Sequence, residues 1–239
     1  MNLLLYEKNV LITGAGRNIG RSIALEMAKH GANIYFTDID KELKENLEKE
    51  LSFYPIKFRG FLSDITRVEE TVNLCNTLEK NQIYIDILVN NLGLSPNPKN
   101  PGMLDLDEWR YVFNNNVFGP LYLTQQISQA MIKKKIKGSL LFISSIHQWV
   151  IRRIDSYSAS KAAIGMLIKE LAIELAPHCI RVNGIAPGYI YDYKRRANVG
   201  IFTCKKASKF LYLFVECCRY HVLTSKSLPF NSKIIPYGS

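Results

Sequence analysis

The feature that most limits how this chain can fold is an alternation. Short β-rich runs at 9–13, 33–37, 56–61, 85–90, 139–144 and 180–185 are separated by amphipathic stretches near 19–30, 41–53, 67–80, 107–134 and 157–176. Strand and helix taking turns at these lengths predicts right-handed βαβ units and a parallel sheet with helices on both faces. Runs such as VLIT and IDILV are mainly apolar, as strands covered on both faces are. The expected fold is therefore α/β, a Rossmann-like doubly wound parallel β-sheet. Such sheets bind ligands beyond the carboxyl ends of their strands, so the residues just after each strand carry the functional information.

After the first run comes Thr13-Gly14-Ala15-Gly16-Arg17-Asn18-Ile19-Gly20, opening into a helix. Glycines there allow a sharp turn and let a pyrophosphate approach main-chain N–H groups at the helix start. Asp38 ends the second run, about 20 residues on. A carboxylate at that point can accept from adenosine ribose hydroxyls and repels a 2′-phosphate. Arg17 pulls the other way, since a basic residue in the turn could hold that phosphate. The carboxylate outweighs it, so NAD(H) is the expected coenzyme and NADP(H) the alternative.

Three motifs in order, Thr13-Gly14-x-x-x-Asn18-x-Gly20, then Asn90-Asn91-Leu92-Gly93, then Tyr157-x-x-x-Lys161, resemble the classical short-chain dehydrogenase/reductase family from about residue 8 to residue 190. Two positions depart from the family pattern. Asn18 stands where the family has its middle glycine, and asparagine tolerates φ > 0. Leu92 replaces the usual alanine. The resemblance implies that Gly14, Arg17, Asn18, Ile19 and Gly20 form the coenzyme turn, with Asn91 beside it. It makes Asp64 and Ile65 the adenine contact, although Asp64 also reads as a helix cap before TRVEE. Pro187 and Gly188 become the turn over the nicotinamide.

The same resemblance gives a catalytic set of Asn116, Ser145, Tyr157 and Lys161. Asn116 is chosen over Asn114 and Asn115 by its spacing to Gly119. Ser145 is preferred by its place at the strand end, whereas the distance to the tyrosine favours Ser144. Tyr157 and Lys161 lie one helical turn apart on one face, and both also count as coenzyme contacts. A carbonyl that receives hydride needs a proton donor beside its oxygen. An ammonium about 5 Å from a phenol favours the phenolate by about 3 kcal/mol at an effective dielectric near 20. Lys161 is therefore expected to pull Tyr157 downward.

The resemblance stops near residue 190. PGYIYDYKRR places Asp192 where the family has a threonine, and 197–239 show neither the family's substrate-covering helices nor its last strand. The expected organisation is a catalytic dinucleotide-binding domain, 1–190, and an atypical basic tail, 191–239, which lacks the final strand and leaves a sheet edge bare. One reading of the tail is a shifted frame, because Phe-Val-Glu-Cys-Cys codons displaced by one base can encode a Leu-Ser-Ala-Ala-like run.

The net charge of +10 raises the question of nucleic acid. Residues 191–239 hold nine Lys/Arg against two Asp/Glu, however, so most of the excess lies in the tail rather than along one face. Nucleic acid is not an expected partner. Nor is a membrane, as no run approaches eighteen apolar residues. Five cysteines without Cys-x-x-Cys spacing argue against a disulfide framework or zinc site and for a cytoplasmic protein. No metal is expected. The implied function is NAD(P)(H)-dependent interconversion of an alcohol and a ketone, with a 3-oxoacyl thioester or a sugar-like polyol as substrate. A homodimer or homotetramer is expected from the long helices. The alternative is a dinucleotide-binding relative impaired by its tail. His147, Trp149, Arg152 and Arg153 are placed around the pocket mouth.

Overall fold

The computed structural model describes residues 3–96, 104–151 and 153–188, and the backbone of 233–235. Its strands are β1 (Asn9–Thr13), β2 (Asn33–Asp38), β3 (Phe58–Leu62), β4 (Ile87–Asn90), β5 (Ser139–Ile143), β6 (Arg181–Ala186) and β7 (Lys233–Ile235). The helices are α1 (Asn18–Lys29), α2 (Lys41–Leu51), α3 (Val68–Lys80), α4 (Leu106–Phe113), α5 (Gly119–Lys133) and α6 (Asp155–Leu175). Strand order is β3-β2-β1-β4-β5-β6-β7, parallel from β3 to β6. The chain winds outward one way from β1 and then the other way from β4. The crevice between those two strands is the switch point where such sheets hold their ligands.

Alternation along β1 divides the core. Val10 and Ile12 face α1 and α2, packing with Ile23, Met27, Phe36, Leu47 and Leu51. Leu11 faces the opposite layer with Leu88, Leu123, Phe142, Ile164 and Ile168. Period-two side-chain direction along the buried central strands produces these two cores from one sheet.

Two expectations change. The stretch 107–134 is not one regular helix: α4 and α5 are joined by a π-helical turn, Asn114–Phe118. Pro120 has no N–H to give the carbonyl of Asn116, so the ordinary i→i+4 ladder cannot continue there. The sheet edge beyond β6 is also not bare along its whole length. Lys233–Ile235 pairs antiparallel with it, in the register Gly184↔Ile235 to Ala186↔Lys233. The rest of 191–239, including Asp192 and three of the five cysteines, lies outside the described residues, as does Arg152.

Candidate active site

The turn after β1 is built to let something approach its backbone. Gly14 has φ +59° and Asn18 φ +49°, so asparagine does adopt the left-handed conformation expected of it. A Cβ on Gly20 would run into the carbonyl oxygen of Gly14 and come within 2.6 Å of Asn91 Nδ2. The turn is stapled to the end of β4. Asn91 Nδ2 donates to the carbonyls of Thr13 and Gly14, both at 3.0 Å, while Thr13 Oγ1 accepts from the N–H groups of Asn91 and Leu92, both at 3.0 Å. Asn91 thus shapes the floor of the turn through its amide nitrogen. Arg17 is exposed at the start of α1, and Ile19 is half-buried.

At the end of β2, Asp38 is buried, with one carboxylate oxygen accepting from Gly16 N–H at 2.8 Å and the other from Asp40 N–H at 3.0 Å. After β3, Asp64 Oδ1 accepts from the N–H and hydroxyl of Thr66, at 3.0 and 2.7 Å. These bonds close a turn onto Thr66 and do not cap α3, whose N-cap residue is Arg67 with no side-chain cap. Ile65 is buried in the core layer, so its main chain is what it can offer a ligand.

Tyr157, Lys161, Ser145 and Asn116 come together from three elements. Ser145 starts a single 3₁₀ turn, Ile146–Gln148, and its Oγ accepts from His147 N–H at 3.3 Å. Its side chain also acts on the Tyr157 hydroxyl, in the direction that lowers the phenol pKa. Ser144 Oγ instead donates to the Lys161 carbonyl at 3.2 Å. The strand-end position, rather than the distance along the chain to the tyrosine, identifies the serine that faces Tyr157. His147 packs its ring edge-on to Tyr157 with centroids 5.1 Å apart, and its Nδ1 pairs with Ser158 Oγ at 3.3 Å. The end of β6 closes this corner, since Pro187 accepts from Ile146 N–H at 3.1 Å, with Gly188 next to it.

Lys161 is 3% exposed; its ammonium donates to the Ile143 carbonyl at 2.9 Å and lies 5.6 Å from the centre of the Tyr157 ring. Gly93 leaves room for it, since a Cβ there would stand 3.0 Å from Nζ. Burial lowers the Lys161 pKa to about 8. It raises that of Tyr157, with the Ser145 side chain acting in the opposite direction. This corrects the expectation of a phenol drawn down by its lysine. Burial disfavours the charged form of each group.

Asn116 is 1% exposed and sits in the π-helical turn. Its Oδ1 accepts from Leu94 N–H at 2.7 Å, and its Nδ2 donates to the Leu94 carbonyl and to Ser160 Oγ, both at 2.9 Å. Ser160 in turn donates to the Tyr157 carbonyl at 2.7 Å. This chain joins the segment after β4 to the helical turn bearing Tyr157 and Lys161. Ser160 is not among the residues that the motifs single out. A serine three residues after Tyr157 on a helix can bond back to its carbonyl, and that was the available signal.

A family model described as short chain dehydrogenase matches residues 8–198. The chain belongs to the short-chain dehydrogenase family. Among its relatives is the 5-keto-D-gluconate 5-reductase of Escherichia coli strain K12, 34% identical over 196 residues that cover 80% of this chain and 75% of the relative. The 3-oxoacyl-acyl-carrier-protein reductase of Thermotoga maritima is 34% identical over 184 residues, 77% of this chain and 74% of that one. A solved NAD+-bound xylitol dehydrogenase superposes with TM-score 0.75 at 30% identity, covering 79% of this chain and 72% of its own. This dehydrogenase is accordingly an oxidoreductase acting on CH–OH groups, of a family that uses nicotinamide dinucleotides. No described helix is long and apolar enough to cross a membrane, and no group of three metal-ligating side chains occurs among the described residues.

Proposed function

We propose that this dehydrogenase interconverts a secondary alcohol and a ketone with NAD(H), through Tyr157, Ser145, Lys161 and Asn116. The observation that carries the proposal is Tyr157 on one helix face with a buried Lys161, whose ammonium lies 5.6 Å from the Tyr157 ring centre. The residues present fit a dinucleotide. Gly20 keeps open a cradle that a Cβ would fill, and the neighbouring turn is held with two positive φ angles. Gly14, Arg17, Asn18, Ile19 and Gly20 would hold the pyrophosphate end and Asp38 the adenosine ribose. Asp64, the Ile65 main chain, Pro187 and Gly188 would line the remainder.

A bound nicotinamide would supply the hydride for reduction and accept it on oxidation. Tyr157 holds the proton that the substrate oxygen takes up on reduction and returns on oxidation. Ser145 donates to that oxygen and orients it, as its side chain acts on the Tyr157 hydroxyl. Lys161 keeps a cation near the phenol at neutral pH, below its own pKa of about 8. Asn116, with both amide hydrogens committed to Leu94 and Ser160, fixes the turn that aims Tyr157. A buried carboxylate at the end of β2 disfavours a 2′-phosphate, which supports NAD(H) over NADP(H).

The candidate substrates are a sugar-like polyol or sugar acid and a 3-oxoacyl thioester, since a keto-gluconate reductase, a xylitol dehydrogenase and a 3-oxoacyl-acyl-carrier-protein reductase all stand among the similar proteins. Exposed apolar residues along the helices, Tyr111, Phe118, Met166 and Ile173, support a homodimer or homotetramer. The experiment is a titration with NADH and NADPH, then a turnover screen of polyols, ketoses, keto-acids and a 3-oxoacyl thioester. Tyr157→Phe should lose about 10²–10⁴-fold in turnover while binding NADH normally. Turnover that survives Tyr157→Phe would refute the assignment.

A further inference from the structure

We propose that Asp38 is a latch for the glycine-rich turn in addition to a ribose-facing carboxylate, so that coenzyme choice in this chain cannot be switched at position 38 alone. Both of its oxygens are occupied within the protein. Oδ2 takes the Gly16 N–H from the turn, and Oδ1 takes the Asp40 N–H from the approach to α2. The neighbouring residues on each side are tied in the same way. Ala15 N–H donates to the Thr37 carbonyl at 3.1 Å, and Asp40 caps α2 by accepting from Leu43 N–H at 3.1 Å.

Gly16 is the counterpart of the latch. A Cβ there would stand 2.7 Å from Asp38 Oδ2 and 2.7 Å from Leu43 Cβ. The absence of a side chain at Gly16 serves the approach of the carboxylate and α2, whereas at Gly20 it keeps the turn and Asn91 close. The turn is thus held on one side by Asn91 and on the other by Asp38.

A carboxylate has about four acceptor sites. Two are spent on Gly16 and Asp40, which leaves capacity for two ribose hydroxyls without releasing either amide. The ligand-free and loaded states can then share one turn geometry. Removing the carboxylate has two effects: it removes the repulsion of a 2′-phosphate, and it leaves the buried Gly16 N–H without a partner. Asparagine does not substitute, because its –NH₂ would face one of the two N–H donors. The usual expectation, that neutralising the residue admits NADPH, fails here because the turn that must hold the pyrophosphate loosens as well. The coenzyme consequence rests on the proposed function; the latch in the ligand-free chain does not.

The test uses the full chain as wild type, Asp38→Ala and Asp38→Asn, with circular dichroism as a check on folding. Amide hydrogen exchange is followed by mass spectrometry on peptides covering 13–20 without coenzyme. Both variants should exchange about tenfold faster in this turn, with β4 and β5 unchanged. In titrations, both should bind NADH and NADPH at least about tenfold more weakly, with no gain for NADPH. Unchanged protection of the turn would overturn the latch. So would an Asp38→Ala protein that binds NADPH more tightly than wild type does. If the wild type binds neither dinucleotide, the proposed function fails, and the exchange data still decide the latch.

Discussion

Lys161→Met should make the protein more stable at neutral pH while destroying its chemistry. The ammonium is 3% exposed, and its pKa falls from an ordinary 10.5 to about 8 because burial penalises the charge. Below pH 8 the lysine is protonated in both folded and unfolded chains, and the fold bears the full cost of burying it. Between 8 and 10.5 the unfolded chain holds a proton that the folded one has released, so stability rises with pH across that window. The gap corresponds to about 3 kcal/mol. Methionine removes that cost but leaves the Ile143 carbonyl without its 2.9 Å donor, a loss of about 1 kcal/mol. The net gain at pH 6–7 is about 2 kcal/mol, or roughly 4–8 °C in Tm for a domain of this size. The advantage should shrink steadily above pH 8 and vanish near pH 10. Tyr157 works in the opposite sense above pH 10, where unfolded phenols ionise and the buried one resists. Paired urea melts of wild type and variant from pH 6 to 9.5 isolate the lysine. A Lys161→Met protein no more stable than wild type at pH 6.5, or one with a pH-independent difference, would refute the burial argument.

Three further outcomes follow from named contacts. Asn116→Ala and Ser160→Ala should each cost about 1–3 kcal/mol by leaving buried polar groups unpaired. Their double variant should cost about 1 kcal/mol less than the sum in urea melts; strict additivity would mean the two side chains do not interact. Gly20→Ala should abolish NADH binding in a fluorescence titration, because its Cβ would displace Asn91 and the Gly14 carbonyl; wild-type affinity would show that the turn can yield. Ser145→Ala removes the side chain that acts to lower the Tyr157 pKa. The alkaline limb of the pH–rate profile should move upward, and an unmoved limb would remove Ser145 from the phenol's environment.

Much of this architecture was legible in the sequence because its central strands carry buried apolar runs. β1 matches its expected bounds, and β2, β5 and β6 fall within a residue of theirs. The β3 start differs by two residues, since Tyr54 and Ile56 form a turn before it, with Ile56 N–H donating to Tyr54. Asn18, Tyr157 and Lys161 could be placed because backbone conformation and helical periodicity are local properties. What escaped was non-local or depended on dielectric. The depth at which Lys161 is buried and the Asp38–Gly16 contact each require elements that the sequence keeps apart, whereas the turn before Pro120 had a local signal in the proline itself. β7 escaped for a related reason: a three-residue strand pairing with β6 across some fifty residues leaves no periodic trace.

The staple between Thr13 and Asn91 has a consequence for synthesis. It bridges 78 residues, and Ile12 on β1 registers against Val89 on β4. A nascent chain that has emerged only as far as α3 can form β1, β2 and β3 with their helices, but the crevice has just one wall. The floor of the coenzyme turn arrives only when β4 leaves the ribosome and inserts beside β1. Dinucleotide present in the cell can then capture the chain only after that insertion. It would act as a check on the completed centre of the sheet rather than as a template for its first half.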